Sequence, residues 1–212
     1  MTEQYYTADP TCASAPVPCQ YGYRAHTLRC LTDAGVFSKG ELDQGTRLLL
    51  DALPDLSGDI LDLGCGWGAI GVALAKANPE ARVVMADVNH RALALAKDNA
   101  ARNGVTAECL ASDGMAALAG RAFRAVVTNP PIRAGKQVIY RMFADIARQL
   151  TPDGALYLVI RKQQGAESCV KYLKTLYAQV EKLDKSAGFW VLRASGALPK
   201  EDTKDEIQRG VL

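Results

Sequence analysis

A chain of 212 residues, 49% hydrophobic and 23% charged, is long enough to bury the core of one α/β domain, and nothing in its composition suggests a second. Its 25 basic and 23 acidic residues give a net charge of +2, which excludes the overall positive field of a strong nucleic-acid binder and leaves any such contact to local clusters. No apolar run nears the ~20 residues of a membrane span, the N-terminus MTEQYYTADP lacks both regions of a signal peptide, and six cysteines without a C-x-x-C pair, beside two histidines, favour reduced thiols over structural zinc. The expectation is a cytoplasmic protein without a membrane partner or a metal.

Pro10, Pro16 and Pro18 make residues 1–19 an irregular lead-in, with Tyr5 and Tyr6 expected to pack back on the domain. Gln20–Tyr23 and Arg24–Leu31 alternate as a half-buried hairpin, and Asp33-Ala34-Gly35 makes a turn. Val36–Gln44 is a loop leading into a helix with an apolar stripe (Leu42, Leu48, Leu49, Leu53) that Pro54 stops. The stretch GDILDLGCGWGAIG then reads as a short buried strand, a glycine turn and a helix start. Further strands are predicted at 82–87, 107–111, 123–128 and 155–160, the last after a turn at 151–154, with helices over 89–103 and through Val138 to Leu150. A helix through Val170, Leu173 and Leu176 and two strands near 180–183 and 189–192 complete the pattern. Strands alternating with helices imply a doubly wound, mostly parallel α/β sheet, of seven strands here, and the short turn Ser186–Gly188 makes the final pair antiparallel. The division expected is an N-terminal extension (1–35), one domain (36–195) and a solvated tail (196–212).

In such a sheet a ligand lies beyond the carboxyl ends of the strands, so the residues just after each apolar run carry the chemistry. Gly64, Gly66 and Gly68 permit positive φ and close backbone approach, around Cys65, although a glycine turn also serves simply to pack helix on strand. Asp62 sharpens the choice: a carboxylate two residues before the first glycine would repel a pyrophosphate, whereas the ammonium and sulfonium of S-adenosylmethionine suit it. Asp87, followed by Val88, closes the second strand of the sheet 21 residues past Gly66, where a carboxylate can accept from both hydroxyls of a ribose; a solvated strand end is the plainer reading. Ser112 and Asp113 close the third, at the adenine position or as a simple turn. The fourth ends in Asn129-Pro130-Pro131-Ile132. Methylating a planar amine requires acceptors that favour a pyramidal nitrogen, and Asn129 Oδ1 with the Pro130 carbonyl can supply two, whereas an Asx-Pro turn alone merely ends a strand.

D-x-G-x-G-x-G, Asp87 and N-P-P-I together resemble a class I, Rossmann-like N-methyltransferase, and V-F-S-x-x-x-x-D-x-G-T (Val36, Phe37, Ser38, Asp43, Gly45, Thr46) resembles the catalytic domain of the MTS-type ribosomal RNA guanine-N2 methyltransferases. The resemblance covers roughly residues 20 to 195. It implies S-adenosylmethionine as cofactor, ribosomal RNA or a ribosomal subunit as partner, and Phe37, Ser38 and Asp43 as further cofactor contacts. Two departures from that family are expected: the position after Asn-Pro-Pro is Ile132 rather than an aromatic, and the resemblance does not extend to the additional N-terminal half of the long enzymes. Arg133, Lys136 and Arg141 follow as a basic loop suited to phosphate contacts or to a solvated helix entrance, which Arg161 and Lys162 could extend. Alternatives are an N-methyltransferase for a protein glutamine or a DNA amine, a cofactor-binding module without turnover, and a nicotinamide oxidoreductase. The last leaves Asp62 and Asn129 without work.

Overall fold

The structure, a computed structural model, describes residues 8–199; Tyr5, Tyr6 and the tail beyond residue 199 lie outside the described residues. The elements run β1 (Val17–Tyr23), β2 (His26–Thr32), α1 (Gln44–Ala52), β3 (Asp59–Leu63), α2 (Ala69–Ala77), β4 (Arg82–Asp87), α3 (His90–Arg102), β5 (Glu108–Ala111), β6 (Phe123–Thr128), α4 (Lys136–Ala147), β7 (Leu150–Arg161), α5 (Ala166–Leu173), β8 (Tyr177–Ser186) and β9 (Phe189–Ala197). Seven strands form one sheet in the order β5-β4-β3-β6-β7-β9-β8, and β1-β2 form a separate antiparallel ribbon. Six strands run in one direction. Only β9, running against both β7 and β8, departs from that direction, as the short turn at Ser186–Gly188 requires.

Side chains alternate across the central strands and feed two cores. Ile60, Met85, Val127 and Val159 face α1, α2, α3 and the ribbon, while Leu61, Val84, Val126 and Leu158 face α4 and α5. Both faces are covered, so β3 and β6 are almost continuously buried, as parallel strands between helical layers must be.

Three local expectations need correction. Pro18 lies inside β1, paired with Leu31; in a two-stranded ribbon every other N–H faces outward, so a proline there removes no ladder bond. Thr151–Gly154 are not a turn ahead of a later strand but lie within β7: Phe123 pairs with Leu150 and Ala125 with Ala155, so these four residues bulge out of a continuous strand. Residues 196 and 197 belong to β9 rather than to a tail, and Leu198 N–H donates to the Leu176 carbonyl.

The ribbon is fastened by two asparagines one turn apart on α3. Asn99 Oδ1 accepts from Leu31 N (2.7 Å) while its Nδ2 donates to the carbonyls of Leu31 and Trp67 (both 2.8 Å). Asn103 repeats the pattern at Arg29, accepting at 3.0 Å and donating at 2.9 Å. Two side-chain amides thus take the place of a third strand and satisfy the free edge of β2. The lead-in is held by Arg91, whose guanidinium donates to the carbonyls of Cys12 (2.8 Å) and Ala34 (2.9 Å). Asn99 is fully buried. Asn99→Ala leaves three backbone groups without partners and is expected to cost about 2–4 kcal/mol, read from the urea midpoint.

Candidate functional site

The register of the central strands brings three chain reversals to one level. Asp62 of β3 pairs with Met85 of β4 and with Val127 of β6, so the segments after Leu63, Asp87 and Thr128 emerge side by side. They line a cleft of about 1100 Å³ that also takes in the ends of β5 and β7 and the loop before α1.

The glycines of the first reversal divide into two kinds. Gly64 and Gly66, at φ 71° and 54°, line the cleft, and a Cβ on either would project into open space. Gly64 and Cys65 N–H both donate to the Ala86 carbonyl, at 2.8 and 3.0 Å, which folds the turn back on β4. Gly68 serves packing instead: a Cβ there would come within 3.1 Å of the Ala96 backbone, so the residue sets how closely α2 approaches α3. Cys65 is buried, and burial pushes its thiol well above the ordinary range, which removes it as a nucleophile.

Asp62 does not line the cleft. It lies wholly buried beneath the start of α2, where Oδ2 accepts from Gly71 N (2.7 Å) and Oδ1 has no partner. Gly71 makes this contact possible, since a Cβ there would meet the Met85 side chain at 2.4 Å. Burial, with Asp87 nearby, raises the Asp62 carboxyl to about 7. Asp87 does line the cleft, beside Val88. Its Oδ2 accepts from Gly66 N (2.8 Å) and its Oδ1 from Asn89 N (2.9 Å), which leaves each oxygen a further lone pair; burial raises this carboxyl as well.

At the far side Ser112 Oγ accepts from Ala117 N and donates to the Gly114 carbonyl, fixing a turn whose Asp113 and Met115 face the cleft. Asn129, Pro130, Pro131 and Ile132 form the adjoining wall. Pro131 at φ −74°, ψ 79° is an inverse γ-turn, and Ile132 N donates to the Pro130 carbonyl at 2.8 Å, so one lone pair of that oxygen is already engaged. Asn129 Nδ2 donates to Asp43 Oδ2 (3.1 Å) and Thr46 Oγ1 (3.0 Å) at the N-terminus of α1. Asp43 is the N-cap of that helix, accepting from Thr46 N at 2.9 Å.

Phe37 and Asp43 line the cleft; Ser38 does not, and at φ 58° its hydroxyl holds the loop by donating to the Glu41 carbonyl. Arg133 and Arg141 stand at the mouth with Arg148 and Arg161, while Lys136 turns to the Tyr140 ring, 5.1 Å from its centroid. Phe189, which the sequence marks only as the start of a strand, lines the cleft too, packed under the Arg161 guanidinium at 4.7 Å. It reaches the site by the cross-strand pair Arg161↔Phe189, which no local signal announces. Among the described residues no group of three or more His, Cys, Asp or Glu could hold a metal ion, and no helix is long and apolar enough to cross a membrane.

A doubly wound sheet of this order, with an open glycine turn after its central strand and a carboxylate at the end of the next, is the architecture of S-adenosylmethionine-dependent methyltransferases. The chain belongs to the methyltransferase small domain family, which matches residues 27–193. It is 38% identical over 198 residues to YbxB of Bacillus subtilis (strain 168), covering 92% of this chain and 98% of that protein. To ribosomal RNA small subunit methyltransferase C of Hahella chejuensis it is 42% identical over 144 residues, which span 66% of this chain and 42% of the relative. The solved structure of the T. thermophilus 16S rRNA N2 G1207 methyltransferase RsmC, in complex with AdoMet and guanosine, superposes with a TM-score of 0.78 at 27% identity, over 88% of this chain and 52% of that one. The chain thus spans about half the length, or less, of the two relatives whose names state an activity.

Asp62 gives this fold a pH dependence. The folded chain keeps a proton on Asp62 up to about pH 7, whereas the unfolded chain releases it near the ordinary 3.8. Between these values the folded state binds more protons, so stability falls as pH rises through that window. For the cofactor-free protein the loss from pH 4 to 8 is expected to be on the order of 2–4 kcal/mol. Asp62→Asn removes most of the slope, Asp87 retaining the rest, as urea midpoints taken across pH report.

Proposed function

We propose that this protein transfers a methyl group from S-adenosylmethionine to an exocyclic amine of RNA, namely guanine N2 in ribosomal RNA. The observation that carries the reading is the position of Asn129: β6 pairs in register with β3, so the asparagine enters the cleft beside the open glycine turn. Guanine N2 is supported by the activity named for the T. thermophilus neighbour, ribosomal RNA by the names of both relatives, and phosphate contacts by the exposed Arg133 and Arg141 at the cleft mouth.

The residues present fit the cofactor, because Gly64 and Gly66 leave the space that a Cβ would fill. The glycine backbone would receive the methionine portion, Asp87 the ribose hydroxyls beside Val88, and the Ser112–Asp113 turn the adenine. Asp62, Cys65, Gly68 and Ser38 support that cradle by packing and loop geometry, Phe37 forms its other wall, and Asp43 lines the cleft next to Asn129. When bound, S-adenosylmethionine supplies a methyl carbon on a sulfonium, whose C–S bond breaks with its electron pair going to sulfur as the amine lone pair takes the carbon. Asn129 Oδ1 and the remaining lone pair of the Pro130 carbonyl accept from the two N–H groups of the amine. That pairing favours the pyramidal nitrogen and stabilises the positive charge developing on it. The surplus proton then leaves to water. Pro131 and Ile132 hold the wall against which the base lies, and Arg133, Arg141 and, at the rim, Lys136 meet phosphates.

The test is transfer of labelled methyl from S-adenosylmethionine to ribosomal RNA and to ribosomal subunits from a strain lacking the gene, with digested RNA analysed for N2-methylguanosine. Absence of label from every RNA fraction overturns the reading, and label on a protein glutamine or on DNA reassigns the substrate. Asp87→Ala is expected to weaken S-adenosylmethionine binding by about 1.5–3 kcal/mol in calorimetry, since hydrogen bonds to a charged acceptor are lost. Asn129→Ala is expected to leave that affinity nearly intact while methyl transfer falls about 100-fold or more, because its acceptor acts in the transition state.

A further inference from the structure

Methyl transfer as read above uses only one end of the Asn129 side chain. Its oxygen can accept from the substrate amine, whereas a flipped amide would aim N–H groups at N–H groups and oppose binding. The two orientations have nearly the same shape, so something besides packing must choose between them.

The structure supplies the choice at the N-terminus of α1. Asp43 Oδ2 accepts from Thr46 N (2.9 Å) and Asn129 Nδ2 (3.1 Å), and Thr46 Oγ1 lies 3.4 Å from the same oxygen. A carboxylate can only accept, so the end of Asn129 that meets it must be the NH2. The Thr46 hydroxyl directs its proton to Asp43 and offers a lone pair to Asn129 Nδ2 at 3.0 Å. Both Nδ2 protons are thereby engaged. Oδ1 has no protein partner among the described residues and is not buried. Gly45 belongs to the same device, since a Cβ there would lie 2.8 Å from Phe189 Cε1 and 3.0 Å from Asp43 Oδ2. Glycine lets the capping turn lie against Phe189 without displacing the carboxylate.

We propose that Asp43 and Thr46 are positioning residues that lock the Asn129 amide, Nδ2 on the helix cap and Oδ1 toward the cleft, so that D-x-G-T before α1 sets the acceptor for methyl transfer. The proposal deepens the function argued above and rests on it. It also gives Asp43 a role other than cofactor contact.

Two pairs of variants separate the lock from helix capping. Serine caps a helix as well as aspartate but is too short to reach Asn129, whereas asparagine can cap and also place an oxygen at the Oδ2 position. Asp43→Ser and Thr46→Val are therefore expected to lower kcat about tenfold or more with the dissociation constant of S-adenosylmethionine changed by less than about twofold. Asp43→Asn and Thr46→Ser are expected to recover most of that loss. A second readout needs no turnover: in 15N-labelled protein the Asn129 side-chain amide protons exchange slowly, and Thr46→Val speeds that exchange about tenfold. If the wild type methylates RNA and Asp43→Ser and Thr46→Val match it in kcat and in amide exchange, the lock is overturned and the reaction stands. If S-adenosylmethionine affinity falls together with kcat in Asp43→Ser, Asp43 is a cofactor contact and the lock is again overturned. If the wild type methylates no RNA, the reaction fails, and the exchange comparison alone decides the lock.

Discussion

The parallel pairing of β3 with β4 on one side and β6 on the other is the constraint from which the site follows. Parallel strands between two helical layers have one allowed register, because a slip of one residue would exchange the faces of Ile60 and Leu61 and with them both cores. That register also puts Asp62 on the α2 face, inside a strand buried from Ile60 to Leu63. A carboxylate survives there because Gly71 brings a backbone N–H to one oxygen and because the acid is held half-protonated near neutral pH rather than ionised. The same register sets the glycine turn and Asn129 shoulder to shoulder, so one packing solution produces both a ligand cradle and an acceptor beside it.

Within that frame the sequence motifs divide their labour. D-x-G-x-G-x-G reads as a single binding loop, yet of its four fixed positions Gly64 and Gly66 face the cleft, while Asp62 and Gly68 hold the helix that follows. V-F-S-x-x-x-x-D-x-G-T divides likewise: Val36 and Phe37 line the cleft, Ser38 holds its own loop, and Asp43, Gly45 and Thr46 shape a helix cap that reaches across to β6. A motif therefore marks the residues whose geometry the site depends on, not the list of atoms that touch a ligand.

The strands at 82–87 and 123–128 were legible to the residue, since apolar runs bounded by turn residues state their own limits. The seven-stranded sheet and the antiparallel final pair followed from alternation and from one short turn. What the sequence concealed depends on distant partners. Asn99 and Asn103 look like polar residues of an exposed helix face, and only their meeting with Leu31 and Arg29, some 70 positions away, makes them edge-strand substitutes. Phe189 lines the cleft only because β9 folds back against β7. Thr151–Gly154 carry every mark of a strand-ending turn, but the β6 ladder resumes beyond them in the same direction and absorbs the extra residues as a bulge.

The apolar walls of the cleft bear on what a substrate must bring. Phe189 is fixed, with Gly45 leaving room for its ring edge and the Arg161 guanidinium lying over it, so it cannot swing to clamp a base. Phe37 sits half-buried on a loop anchored by buried Val36 and by the Ser38–Glu41 bond, which makes it the more adjustable face. Ile132 is aliphatic, so on the guanine reading this side forgoes the roughly 1–3 kcal/mol per base that aromatic stacking contributes. Binding must then draw on another source. Of the arginines at the mouth, Arg148 is paired with Asp145 and Arg161 is held over Phe189, so on the proposed reading phosphate contacts fall to Arg133 and Arg141, both exposed. Affinity built on phosphate contacts in place of stacking is salt-dependent and favours a nucleotide embedded in RNA over a free nucleoside. On that reading the aliphatic wall and the cationic rim complement each other, the rim supplying affinity that the wall does not.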